Sequence, residues 1–192
     1  MAARDAARPY HHGDLRRALM AATIELLAER GPSALSLREV ARRAGVSHAA
    51  PTHHFGDKAG LLAAVAADGY RLLAAALRDA HERTGQFLEV GVAYVGFAVS
   101  HQAHFEVMFR PDLYRADDPD LAAARAAAGA LLYPPAAAAS GTRGRRATDA
   151  GVAAWSLVHG LATLWLNGNL PADAGDDPEA TARRAAAFLF TR

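Results

Sequence analysis

Two helix-start signals, Ser36 and Ser47, bracket a short segment ending at Gly45, and this punctuation constrains the chain more than any other feature. Ser36-Leu37-Arg38-Glu39 has the form of a capping box, in which the Ser oxygen takes an orphan backbone amide and the acid reaches back. Leu37, Val40, Ala41 and Ala44 then supply one apolar face, which leaves room for about two helical turns. Gly45 lets the backbone leave the helix, Val46 plugs the angle and Ser47 restarts. A third short helix is predicted from Ser47 to about His54, with Pro51 at its fourth position. With a longer helix over about residues 14–30 in front, the long-short-short order is that of a helix-turn-helix.

No β-type alternation of useful length occurs anywhere, so the rest also reads as helices between capped breaks. Asp57 caps a long fourth helix to about Arg83, and residues 86–102 form a fifth that is apolar nearly all round. HFEVMFR follows before Pro111. Asp118-Pro119-Asp120 opens an Ala-rich helix that Pro134-Pro135 breaks or kinks. Residues 140–147 read as a mobile basic loop, a strong helix spans about residues 148–167, and Asp177-Pro178-Glu179 opens the last one. The predicted fold class is all-α with about nine helices: a three-helix head over residues 1–60 and a larger helical body over residues 61–192.

Composition narrows the function classes. Alanine makes up 49 of the 192 residues and favours helix wherever Gly and Pro do not intervene. The absence of Cys excludes disulfides, thiolate metal sites and thiol nucleophiles. The N-terminus has charges and Pro where a secretory signal needs an apolar run, so a cytoplasmic protein without a membrane role is expected. Residues 1–60 hold nine cations and six anions, while the rest holds twelve and fourteen. A basic head on a mildly acidic body points to a polyanion partner. No Glu has His three residues on, Gly85 stands where a zinc-protease helix needs its second His, and neither Gly-x-Ser-x-Gly nor a P-loop occurs. An enzyme is not expected, nor is a cofactor or a bound metal.

The segment SLREVARRAGVSHAAPTHHFGDKAGLL resembles the N-terminal domain of the tetracycline-repressor (TetR) family of bacterial transcriptional regulators. The resemblance rests on Ser36, Ala44-Gly45-Val46-Ser47, His54-Phe55 and Lys58. One position departs from the pattern: the family's Tyr, whose hydroxyl reaches a phosphate, is Thr52 here. In such a head the third helix enters the major groove, which places His48, Ala49, Thr52 and His53 near the base edges. Ser36, Ser47, Thr52 and Lys58 are expected on phosphates. Arg38, Arg42 and Arg43 are read as an exposed helix face, His54 and Phe55 as hinge packing, and His11-His12 as a solvated terminus.

AWSLVHGLATLWL, with Trp155, His159 and Gly160, resembles the Trp-His-Gly C-terminal domain of one subgroup of that family. The resemblance implies a homodimer joined by its last long helices, with Trp155, His159, Gly160 and Thr163 expected at the seam. Intramolecular core is the competing place for Trp155 and His159. Tyr94, Phe97, His101, His104, Phe105, Met108 and Phe109 supply more apolar surface than one helix seam uses, and are expected to line a ligand pocket. The function expected is a repressor that binds a pseudo-palindromic double-stranded operator as a dimer and is released by a small apolar or amphipathic effector. The alternative is a ligand-binding or interaction protein of the same fold that no longer reads DNA.

Overall fold

The computed structural model describes residues 12–141 and 143–190. Among the described residues run ten α-helices and one 3₁₀ turn, with no strand. The head is α1 (His12–Arg30), α2 (Leu37–Arg43) and α3 (Ala50–Phe55). The body is α4 (Lys58–Thr84), α5 (Phe87–Ser100), α6 (Gln102–Met108), α7 (Pro119–Ala130), α8 (Tyr133–Ser140), α9 (Arg145–Leu166) and α10 (Pro178–Phe190). The side chains of His11 and His12 lie outside the described residues.

Side-chain caps set the starts of α2, α4 and α7. Ser36 Oγ accepts the Glu39 amide at 3.2 Å, Asp57 Oδ1 the Gly60 amide at 2.8 Å, and Asp118 Oδ1 the Leu121 amide at 2.9 Å. Each satisfies a donor that the helix itself leaves open.

Four boundaries differ from the sequence reading. The third helix starts at Ala50, not at Ser47, and no side chain caps it; the Ala50 amide instead bonds the Ser47 carbonyl at 3.0 Å in a turn. That delay moves Pro51 into the first helical turn, where its missing N–H costs no intrahelical bond. The predicted fifth helix divides at His101, whose φ of −125° and ψ of 43° leave the helical region, and α6 follows. Pro134 and Pro135 open α8 in the same way that Pro51 opens α3, which brings the count to ten. Gly144, at φ 61°, lets α9 begin at Arg145, inside the segment read as a loop.

α4 is the mast of the body and packs against α5, α6 and α7, while α9 and α10 pack on α5 and α8 lies along α9. Leu61, Leu62, Val65, Leu73 and Leu77 are buried almost completely on α4, each contributing about 1.5–3 kcal/mol. By length and composition α4 alone, among the described helices, is apolar enough to cross a bilayer; its apolar surface is spent on this core. Gly69 permits the close approach of α6 to α4, since a Cβ there would lie 2.5 Å from Met108 Sδ.

Candidate nucleic-acid interface and ligand cavity

α3 is two-faced. Ala50, Pro51 and Phe55 are buried beneath it, and the guanidinium of Arg16 stands 5.3 Å over the Phe55 ring. His48, Ala49, Thr52 and His53 are exposed together on the outer side, and Ser36 and Ser47 are exposed beside them. Lys58 begins α4 at the same rim, partly buried, with Nζ 3.5 Å from the Ser33 carbonyl. Gly56, at φ 77°, makes the turn between α3 and α4 in a conformation that side chains resist.

The three arginines of α2 have different fates. Arg42 pairs with Glu39 at 2.5 Å, and Arg43 bridges Glu29 at 2.8 Å and Glu25 at 3.2 Å, which raises the Arg43 pKa and lowers that of Glu29. Arg38 is exposed and has no carboxylate partner among the described residues, so it adds an uncommitted cation that the sequence reading had merged with its neighbours. The acids that commit Arg42 and Arg43 were legible only for Glu39, at helical spacing; Glu25 and Glu29 arrive from α1.

The body holds a polar triad inside an aromatic cluster. Trp155 Nε1 donates to the Tyr94 hydroxyl at 3.2 Å, and Tyr94 Oη lies 2.9 Å from His159 Nδ1. The tautomer of the imidazole sets the direction of the second bond: the Tyr94 hydroxyl donates to Nδ1 when the ring proton sits on Nε2. Phe105 and Phe109 close over His159, with ring centroids 5.2 Å and 4.5 Å away. Burial pushes the Tyr94 pKa up and the His159 pKa down, so both stay neutral.

The four residues expected at the seam fall on two sides of α9. Trp155 and His159, both partly exposed, turn their polar atoms toward Tyr94 of the same chain. Gly160 and Thr163 lie on the outer side of α9, and a Cβ on Gly160 would meet nothing within 4 Å. Val152, 48% exposed, and Leu164, 44% exposed, share that side.

The seven residues expected around one pocket are dispersed as well. Phe97 stacks on His101 at 5.0 Å beside a polar surface groove that Asp79, Glu82 and Arg83 also line. His104 is buried with Nε2 3.3 Å from Asp68 Oδ2, holding that carboxyl below its ordinary range, and Met108 is buried against Gly69. Phe105 helps line a groove by His159 and Thr163. Tyr94 and Phe109 alone of the seven line a small inner chamber of about 100 Å³, together with Tyr70, Leu132 and Trp155. An apolar cavity of about 340 Å³, partly open to solvent, lies beyond Leu132 and Trp155 among Phe87, Leu88, Ala154 and Val158, which the sequence reading missed. Helical spacing put the seven near one another, but α5 and α6 point them at different neighbours. Among the described residues no group of three or more His, Asp or Glu is placed to hold a metal ion.

A helix-turn-helix head with His48, Ala49, Thr52 and His53 exposed on its outer side, mounted on a larger helical body, defines a class of DNA-binding regulator. The family described as "Tetracyclin repressor-like, C-terminal domain" matches residues 87–189, and "Bacterial regulatory proteins, tetR family" matches residues 19–65. The chain belongs to the tetracycline-repressor family of transcriptional regulators. Over 57 residues it is 40% identical to an HTH-type transcriptional repressor of Mycobacterium tuberculosis, a match covering 30% of each chain. It is 34% identical to a protein of unknown function from Rhodococcus sp. RHA1, with a TM-score of 0.78 over 96% of this chain and 97% of that one. The fold is also that of the TetR family transcriptional regulator PfmR from Thermus thermophilus, at 22% identity and a TM-score of 0.68 over 90% and 96% of the two chains.

Proposed function

We propose that the protein is a cytoplasmic homodimeric repressor whose head, residues 1–60, binds a pseudo-palindromic operator. Its body, residues 61–192, dimerises and takes a small apolar or amphipathic effector that releases the DNA. The observation that carries this reading is the exposed row of His48, Ala49, Thr52 and His53 over a buried inner face of α3. Such a helix inserts its outer side chains into a major groove about 12 Å wide. Ser36, Ser47, Lys58 and the uncommitted Arg38 are assigned to phosphates, since each is near the rim and a cation or hydroxyl there gains a charge-assisted contact.

Two copies are needed because one thin head, with Ala49 among its four outer residues, reads few bases; a two-fold dimer spaces two heads about 34 Å apart or a multiple of that. We assign the seam to the outer side of α9, at Gly160, Thr163, Val152 and Leu164, and place the chain in the Trp-His-Gly subgroup on Trp155, His159 and Gly160. The inner chamber and the apolar cavity are the effector site.

Thr52 favours a second reading, in which the head no longer binds DNA specifically, because Thr lacks the reach of the family's Tyr. Gel retardation with the promoter fragment upstream of the chain's own gene separates the two. Sequence-dependent retardation supports the repressor, and retardation equal to that of a scrambled fragment overturns it.

A further inference from the structure

We infer that the effector is a monoanionic amphipath, a small carboxylic acid with a flexible apolar chain, whose carboxylate is held by Arg125 at a doorway formed by Tyr133. This rests on the reading of the body as an effector domain and gives that site its ligand class.

Three cavities lie in a row. An open groove of about 560 Å³ is lined by Tyr114, Leu121, Arg125 and Tyr133. Arg125, Gly129 and Tyr133 also line the inner chamber of about 100 Å³, so they stand between the groove and that chamber. Leu132 and Trp155 in turn belong to both the chamber and the apolar cavity of about 340 Å³. A guest entering from the groove passes Arg125 first and meets apolar walls last.

Among the described residues, Arg125 is the one formally charged side chain in the walls of all three cavities. Arg71, Arg110, Arg115 and Arg183 each have a carboxylate partner, whereas Arg125, which is exposed, makes neither a hydrogen bond nor an ion pair with the described residues. The other tyrosine hydroxyls of the chamber and the groove are already committed. Tyr70 in the chamber and Tyr114 in the groove both donate to the Met108 carbonyl, at 3.2 and 2.8 Å, and Tyr94 is held by Trp155 and His159. A guest's polar group therefore meets Arg125 and the hydroxyl of Tyr133, which bonds none of the described residues.

One cation matches one negative charge. The second charge of a phosphate monoester would find no second cation in the lining of the groove or the chamber. The planar guanidinium fork fits a carboxylate with two parallel bonds, and a neutral guest would leave it unused. The narrowness of the chamber selects an unbranched tail over a rigid ring system.

Tyr133 is placed to act as the door. Its ring, 39% exposed, lies on two glycines: a Cβ on Gly151 would fall 2.5 Å from Cδ1, and one on Gly129 3.5 Å from Cε2. Pro134 and Pro135 stiffen the first turn of α8, so the passage opens by rotation of the side chain and not of the backbone.

The test is calorimetric titration of the full chain with decanoate, decan-1-ol and decylamine, all below their aggregation limits. Decanoate should bind about tenfold or more tightly than the other two, and Arg125→Gln should remove that advantage while leaving decan-1-ol unchanged. Arg125→Lys, which keeps the charge but loses the fork, should restore part of it. Equal affinity for acid and alcohol, an Arg125→Gln variant that binds decanoate as the wild type does, or no binding of any of the three overturns the assignment. If decanoate binds through Arg125 but operator affinity does not change, the ligand class stands and the repressor reading falls instead.

Discussion

The carboxylate of Asp57 is divided between a helix cap and a distant arginine: Oδ1 accepts the Gly60 amide at 2.8 Å, and Oδ2 lies 2.6 Å from Nη2 of Arg115. The cap starts α4 directly after α3, and Arg115 sits in the segment after α6. That segment follows Met108, whose carbonyl receives Tyr70 from the inner chamber and Tyr114 from the outer groove. A guest that moves either hydroxyl thus lies one loop away from the base of the reading head.

Arg115→Ala should therefore weaken communication more than stability. Both partners are exposed, and exposed ion pairs contribute little to folding. Thermal unfolding should change only slightly, whereas the loss of operator affinity caused by a bound effector should shrink. An unchanged effector response in filter binding removes the clasp from the coupling path. The Gly60 amide first, and Arg115 second, hold the Asp57 carboxyl below its ordinary value. The ionised cap accordingly contributes in full above about pH 4 and is lost as pH falls through the lower folded value. Asp57→Asn should flatten that acid limb.

Gly160→Leu separates folding from assembly. A side chain at this position meets open space within the protomer, so the helical circular dichroism should be retained. If the outer side of α9 is the seam, sedimentation should show the dimer shifting to monomer, and operator affinity should fall with it. A variant that stays dimeric at micromolar concentration excludes this face.

At the head, Lys58→Ala should weaken binding to all DNA sequences alike and lower the magnitude of the salt slope by about one per phosphate site lost. Thr52 is exposed, so Thr52→Tyr should fit without repacking and tighten operator binding by about 1 kcal/mol, the scale of one net hydrogen bond. A loss of affinity would mean that α3 docks at another angle.

His159 gives the body a pH signature of known sign. Burial lowers its pKa, so the folded protein keeps the imidazole neutral where the unfolded chain already takes up a proton, near about pH 6.5. The unfolded state binds more protons from there down to the folded value, hence stability is complete above this window and declines as pH falls through it. His159→Gln keeps an acceptor for Tyr94 but cannot titrate, and its chemical denaturation midpoint should lose this part of the slope. Parallel slopes for variant and wild type would place the titration elsewhere.

What the sequence determined by itself was whatever depends on neighbours along the chain. Ser36, Asp57 and Asp118 cap amides three residues on, Gly45 and Gly56 take backbone angles that side chains resist, and a Pro belongs in a first helical turn; all of this is short-range chemistry. The start of α3 was misread because two such signals competed, and Pro51 prevailed over Ser47. What only the tertiary structure decided was which neighbour each helical face meets. Periodicity put Trp155, His159 and Gly160 on adjoining stripes of α9. The position of Tyr94, 61 and 65 residues away from Trp155 and His159, then turned those two inward and left Gly160 facing out. The same holds for the cavities: Arg125 and Tyr133 lie on helices with little periodic signal, and they become a doorway because α7 and α8 fold against a chamber walled by α4, α5 and α9. A helical pattern records that a face is apolar or polar; the partner of that face is fixed only when the chain closes on itself.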